Sequence, residues 1–112
     1  MLKKKNRIIS SVAFKEIFAK GKVKENEYFK IIFLKNNLDY PRYGIIVSTQ
    51  VSRLAVERNT LKRKIRNILI DFLLVSSEGF DVAIIARKNC LKVSFSKLKE
   101  SLKELLLKLS TK

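Results

Sequence analysis

An α+β fold is expected for this chain on three grounds. Apolar residues recur at helical spacing in three stretches, β-branched and aromatic residues crowd three others, and no repeat, linker or low-complexity tract interrupts the 112 residues. The order reads α-β-β-α-β-α, a single-domain α-β sandwich over residues 1–112. A hydrophobic content of 46% suffices for one core, and folding at this length buries roughly two thirds of the surface that the unfolded chain exposes.

Residues 1–8 are basic and weakly patterned, and read as a flexible N-terminus with Lys3, Lys4 and Lys5 as auxiliary contacts. Ser10 or Ser11 then caps a short helix that ends at Gly21. Inside it Phe14, Ile17 and Phe18 fall at i, i+3 and i+4, so two aromatic rings stand one turn apart on one face, facing either a core or a binding cleft. Tyr28 to Leu34 (YFKIIFL) and Tyr43 to Thr49 read as strands, separated by the turn-rich Asn36-Asn37-Leu38-Asp39-Tyr40-Pro41 and expected to pair antiparallel. A long helix follows from about Leu54 to Val75, with Ser76, Ser77 and Gly79 ending it. Leu54, Leu61, Ile65, Ile68, Leu69 and Phe72 form its apolar sector, and its nearly all-apolar second half is expected to be buried while the first projects to solvent. Phe80 to Arg87 (FDVAIIAR) has the continuous apolar run of an inner strand. Ser94 or Ser96 starts a last helix, with Leu98, Leu102, Leu105 and Leu109 inward and Lys97, Lys99, Lys103 and Lys108 on its solvated side.

The formal net charge of +15 speaks of partners rather than fold: nucleic acid, an anionic membrane or acidic protein. The chain has no histidine, which removes the commonest general base and the commonest transition-metal ligand. Its ten acidic residues form no close carboxylate motif apart from Glu25 and Glu27, read as a solvated loop, so no protein-only metal site or two-metal nuclease centre is expected. A single cysteine, Cys90, cannot form an internal disulfide and reads as a small apolar residue. With no long apolar run and no apolar core to the N-terminal MLKKKNRIIS, a cytoplasmic location is expected.

The informative segment is Arg53 to Arg66 (RLAVERNTLKRKIR), with six basic side chains against the single acid Glu57. A helix turns about 100° per residue, so Arg58, Lys62 and Arg66 drift by only ~40° per step and form one row, flanked by Asn59 and Arg63. A merely solubilising face mixes charge signs and gains i,i+4 pairs, whereas this row meets no acid at those spacings. Like charges so arranged favour a polyanion. A membrane is the poorer partner, because the apolar side of the helix is committed to a core.

Arg58-Asn59-Thr60-Leu61-Lys62-Arg63-Lys64-Ile65-Arg66 resembles the signature helix of the protein component of bacterial ribonuclease P, which reads Arg-Asn-Arg-x-Lys-Arg-x-x-Arg. The match holds at Arg58, Asn59, Lys62, Arg63 and Arg66; Thr60 departs, and its phosphate contact is expected to weaken or move to Lys64 or Arg53. Lys5-Asn6-Arg7, the Phe14 and Phe18 pair with Gly21 behind it, Gly44-Ile45-Ile46-Val47-Ser48 and Asp81-Val82-Ala83-Ile84-Ile85-Ala86-Arg87-Lys88 resemble further family segments in family order. Two more departures concern the substrate cleft. Thr49-Gln50 stand where the family usually has a basic pair, and Ile32 where it often has a tyrosine, leaving Tyr28, Phe29 or Phe33 as candidate replacements.

The resemblance implies a central mixed sheet with a left-handed βαβ crossover around the basic helix. It also implies a non-catalytic subunit of an endoribonuclease whose chemistry is carried by RNA, removing the 5′ leader of precursor tRNA. On that reading Arg53, Arg58, Asn59, Lys62, Arg63, Lys64 and Arg66 bind the catalytic RNA subunit, near its active centre. Phe14, Phe18, Asn6, Arg7, Arg87 and Lys88 bind the single-stranded leader, where aromatic faces stack on any base. Magnesium is implied for the assembled enzyme, and no heme, flavin, nucleotide cofactor or membrane. The alternative is a ribosomal-type structural RNA-binding protein, which would co-purify with ribosomal RNA and not with the catalytic RNA.

Overall fold

Alternation along the strands decides which side of the sheet each residue serves. The computed structural model describes residues 6–8, 11–73 and 79–108, and within these the elements are α1 (Ser11–Lys20), β1 (Lys22–Glu25), β2 (Phe29–Lys35), β3 (Arg42–Ile46), α2 (Ala55–Leu73), β4 (Phe80–Ala86), a 3-10 turn (Lys88–Lys92) and α3 (Phe95–Leu107). Phe29, Ile31 and Phe33 of β2, Tyr43 of β3 and Val82, Ile84 and Ala86 of β4 are buried in one cluster with Leu61, Ile65, Ile68 and Leu69 of α2 and Leu98, Leu102, Leu105 and Leu106 of α3. The intervening residues, Ile32 and Ala83 foremost, join Ile8, Ile17, Phe14 and Leu34 in a second cluster on the other face, under α1. The sheet is thus sandwiched between α2 with α3 and α1, the expected α+β arrangement.

The strand order is β1-β2-β4-β3, with β4 antiparallel to β2 and parallel to β3. The segments Tyr28 to Leu34 and Tyr43 to Thr49 are therefore not the antiparallel pair expected of them, because β4 lies between them. Asp81, Val82, Ala83 and Ile84 are all buried, and a strand covered on both faces in this way takes a neighbour on either side. The intervening turn is also built for another purpose. Asn36 accepts from the Leu38 N–H (2.9 Å) and donates to the Tyr40 carbonyl (3.2 Å) and the Asp81 carboxylate (2.9 Å), while Arg42 grips Asp81 through Nε (2.8 Å) and Nη2 (2.6 Å). These bonds direct β3 onto β4 rather than back onto β2. Asn37 takes the left-handed conformation (φ 62°) that the turn needs.

A fourth strand, β1 (KVKE), has no counterpart in the expected order, since alternating lysines and one valine carry little strand propensity. It forms at the rim by pairing with β2 from Lys22↔Phe33 to Glu25↔Lys30, and rim lysines deter edge-to-edge association. Asn26 fixes the connection, accepting from the N–H groups of Tyr28 (3.0 Å) and Phe29 (2.9 Å) and donating to the Ser101 carbonyl of α3 (3.1 Å). α1 starts at Ser11 and ends as expected at Gly21, whose N–H donates to the Ile17 carbonyl (2.8 Å). A Cβ at Gly21 would stand 2.8 Å from Ile32 Cγ2, so glycine is what lets α1 sit this close to β2.

Ser94 caps α3 by accepting from the Lys97 N–H (3.3 Å). Leu54 is a correction: placed in the apolar sector of the long helix, it precedes α2 and is 61% exposed, while Val51 from the preceding turn is buried in the core instead. Lys99 and Lys108 lie on the solvated side of α3 as expected, where they make surface pairs with Asp71 of α2 (2.8 Å) and Glu104 (3.9 Å). Lys3, Lys4, Lys5, Ser10, Val75, Ser76, Ser77, Leu109 and the side chain of Phe72 lie outside the described residues.

Candidate nucleic-acid interface

The start of α2 consumes the only acid of the basic segment. The Ser52 hydroxyl accepts from the Leu54 N–H (3.1 Å) and donates to the Glu57 carboxylate (2.5 Å), and the Ser52 carbonyl accepts from Arg58 Nη1 (2.9 Å). Glu57 lies in the first helical turn, where the helix dipole favours negative charge. Arg53, Arg58, Lys62, Arg63, Lys64 and Arg66 have no acidic partner among the described residues, whereas Arg42, Arg87, Lys99 and Lys108 are paired elsewhere. Arg58, Lys62 and Arg66 are each half-buried, bordering the core that Leu61, Ile65, Ile68 and Leu69 anchor, and Asn59, Arg63 and Lys64 are exposed beyond them. The stems of the row can thus lie against apolar surface while the charged heads face water. Thr60, which replaces a family arginine, donates its hydroxyl to the Val56 carbonyl of its own helix (2.9 Å).

The second surface is the strip of sheet beside α1. Strand register sets Gly44, Ala83, Ile32 and Val23 in one row across the four strands, and α1 crosses over this row. A Cβ at Gly44 would lie 2.3 Å from Phe14 Cζ, so the Phe14 ring occupies the space that glycine leaves above β3. The next row, Ile46, Ile85, Lys30 and Glu25, faces the same side, and its first three members are half-buried. It forms the floor of a trough that carries apolar surface and a lysine. Phe18 stacks with Phe14 (centroids 6.2 Å apart, rings 25° from parallel) and is 50% exposed, so it is not a core residue.

Beyond that row β4 runs into Arg87 and Lys88, which diverge. Arg87 reaches across β2 to pair with Glu25 of β1 (2.5 Å), whereas exposed Lys88 lines a concavity of about 470 Å³ with Thr49, Gln50, Val51, Ser52 and Arg53. This concavity brings together Lys88, expected at the leader, and Arg53, expected at the RNA subunit. Asn6 is buried and donates to the Pro41 carbonyl (2.8 Å), while Arg7 bridges to Tyr43 at the edge of β3. Asn6 and Arg7 thus border β3 rather than line the exposed strip.

Strand facing settles which aromatics can reach the trough. Phe29 and Phe33 are buried on the opposite face and Tyr28 packs against the same core, so none replaces the family tyrosine at Ile32, itself buried under α1. Lys30, Ile46, Ile85 and Glu25, which face the trough, were not among the expected site residues; the signal in the sequence was Lys30 as the sole charged residue in YFKIIFL, and its facing depends on pairing with β4. Burial pushes the Cys90 thiol up to about 11, and it donates to the Tyr28 carbonyl (3.0 Å); burial also raises the Tyr43 phenol. Neither group belongs to a chemical site. Among the described residues no three acidic or thiol groups converge and no helix is long and apolar enough to cross a membrane.

Comparison with known proteins adds to this geometry. The model of the Ribonuclease P family matches residues 2–110. The ribonuclease P protein component of Thermotoga maritima is 42% identical over 94 residues, covering 80% of each chain, and that of Bacillus mycoides is 38% identical over 102 residues, covering 90% of this chain and 88% of the relative. Among solved structures, the Staphylococcus aureus RNase P protein superposes with a TM-score of 0.84 at 28% identity, covering 94% of this chain and 95% of the other.

Proposed function

The chain belongs to the ribonuclease P protein family, and from that membership we propose that it is the RNA-binding subunit of a tRNA-processing ribonuclease, holding the catalytic RNA on α2 and the 5′ leader of precursor tRNA in the trough beside α1. The observation that carries this reading is the row Arg58, Lys62 and Arg66, anchored on the core and without acidic partners among the described residues. A guanidinium makes forked contacts with phosphate, lysine supplies point charge, and Asn59 hydrogen-bonds phosphate, sugar or base. The trough pairs Phe14 and Phe18 with Lys30 and Arg87, the combination of stacking faces and cations that single strands require. Lys88, just past the end of β4, and Arg53, just before α2, line one concavity and add cations between the two surfaces.

Bond breaking in this reading belongs to the RNA subunit, and the parts assigned to the chain are binding and orientation. The family resemblance implies Mg2+ for the assembled enzyme, and reconstitution is scored at low magnesium for that reason. Reconstitution with the catalytic RNA at low magnesium tests the reading, scoring leader removal with and without the protein. Faster cleavage with protein is expected, lost when Arg58, Lys62 and Arg66 are all alanine. Cleavage by protein freed of RNA would overturn it, as would recovery of ribosomal RNA without the catalytic RNA.

A further inference from the structure

We propose that Glu25 sets how far along the trough the leader is gripped, its carboxylate occupying Arg87 so that a leader phosphate reaches that guanidinium only by displacing it. The inference rests on reading the trough as the leader site. Glu25 faces the trough, directly across from Lys30 in the β1–β2 ladder, and takes Arg87 Nη2 at 2.5 Å. One acid therefore offsets two cations at the β1 end. Beyond the end of β4 Lys88 lies beside Arg53 in a separate concavity, and neither is paired with an acid among the described residues, so the masking of cations is confined to the β1 end of the trough.

The arrangement suits exchange of one anion for another. The Arg87 backbone is held on both sides, its N–H donating to the Tyr28 carbonyl (2.9 Å) and its carbonyl accepting from the Cys90 N–H (3.0 Å), so only the side chain has to move. The paired side chains are 39% and 53% exposed, and an ion pair this open to water contributes little to stability. A structural tie would gain more from burial, as in Arg42 with Asp81, where the carboxylate is 9% exposed. Phosphate competes for the same guanidinium fork as a carboxylate. A leader too short to reach Arg87 meets Lys30 and the aromatic pair without that guanidinium.

The test is binding of precursor tRNAs with leaders of graded length to the holoenzyme reconstituted from this protein and its catalytic RNA. Glu25→Gln is compared with wild type, with Arg87→Gln, with the double variant, and with Glu100→Gln as an equal charge change on α3. Expected is tighter binding of long leaders by Glu25→Gln, roughly two- to five-fold at low salt, with no change for the shortest leaders and no gain in the Arg87→Gln background. Equal tightening by Glu100→Gln, tightening independent of leader length, or a gain that survives Arg87→Gln would overturn the assignment. If wild type depends on leader length but Glu25→Gln matches it throughout, the assignment of Glu25 falls and the trough reading stands. If wild type shows no dependence on leader length, the trough reading itself falls. Thermal unfolding of Glu25→Gln within a few degrees of wild type shows that the comparison is between folded proteins.

Discussion

Phe14 and Phe18 share a helix face yet differ in what they touch. Phe18 is half exposed, so Phe18→Ala is expected to cost less than about 1 kcal/mol by denaturant unfolding, while lowering discrimination between precursor and mature tRNA. A loss of roughly 3 to 5 kcal/mol would instead mark Phe18 as an ordinary core ring. Gly44→Ala probes the same ring from below, because the new methyl must push Phe14 out of its place over β3. Expected are a loss of about 1 to 3 kcal/mol and weakened leader binding; normal stability with normal leader binding would contradict the packing described. Cys90 gives a pH signature. Its folded-state pKa is raised by burial, so its contribution to stability is complete below about pH 9 and disappears as pH rises toward about 11. Unfolding followed across that window should show a decline that Cys90→Ala reduces. The aromatic spacing was legible in the sequence because it follows from helix geometry alone; the half exposure of Phe18 was not, since it depends on how α1 crosses the strands.

The charged heads of α2 point away from the core that their stems border, so single alanine substitutions at Lys62 and Arg66 should weaken RNA binding and cost less than about 1 kcal/mol of stability. Each should also flatten the logarithmic salt dependence of binding by about 0.7 to 0.9. Arg58→Ala is expected to cost more stability than either, because it also loses the bond to the Ser52 carbonyl at the start of the helix. The turn into β3 makes a contrasting case. Removing Asp81 strips Arg42 and Asn36 of a shared acceptor, and Asp81→Ala is expected to cost about 2 to 3 kcal/mol, below the ~3 to 5 of a fully buried pair because Arg42 is partly exposed. The helices and the strand cores were legible through their apolar periods. The identity of β4 as the inner strand was legible too, but its neighbours were not: pairing is fixed by Arg42, Asn36 and Asp81, separated by as many as 45 positions. β1 was illegible because KVKE becomes a strand only against β2.

Across the protein, whose net charge is +15, the cations of α2 without acidic partners and the cations of the trough form two surfaces, and Arg53 and Lys88 share one concavity. Engaging ~5 phosphates through these surfaces predicts a log–log salt slope of about −3 to −5 for binding the catalytic RNA, and affinity flat across salt would contradict it. The cationic row of α2 was legible from charge imbalance and helical spacing, while the trough needed the register of four strands before Lys30, Ile46 and Ile85 could be placed on one side.

The position of β4 has a consequence for biosynthesis. β4 is made after β1, β2, β3 and α2, so β2 and β3 have no shared neighbour until Phe80–Ala86 have been synthesised. Nascent chains halted before residue 80 hold the full cationic helix without the sheet that supports it. Closure of the sheet is thereby deferred until one apolar segment inserts between strands made well before it.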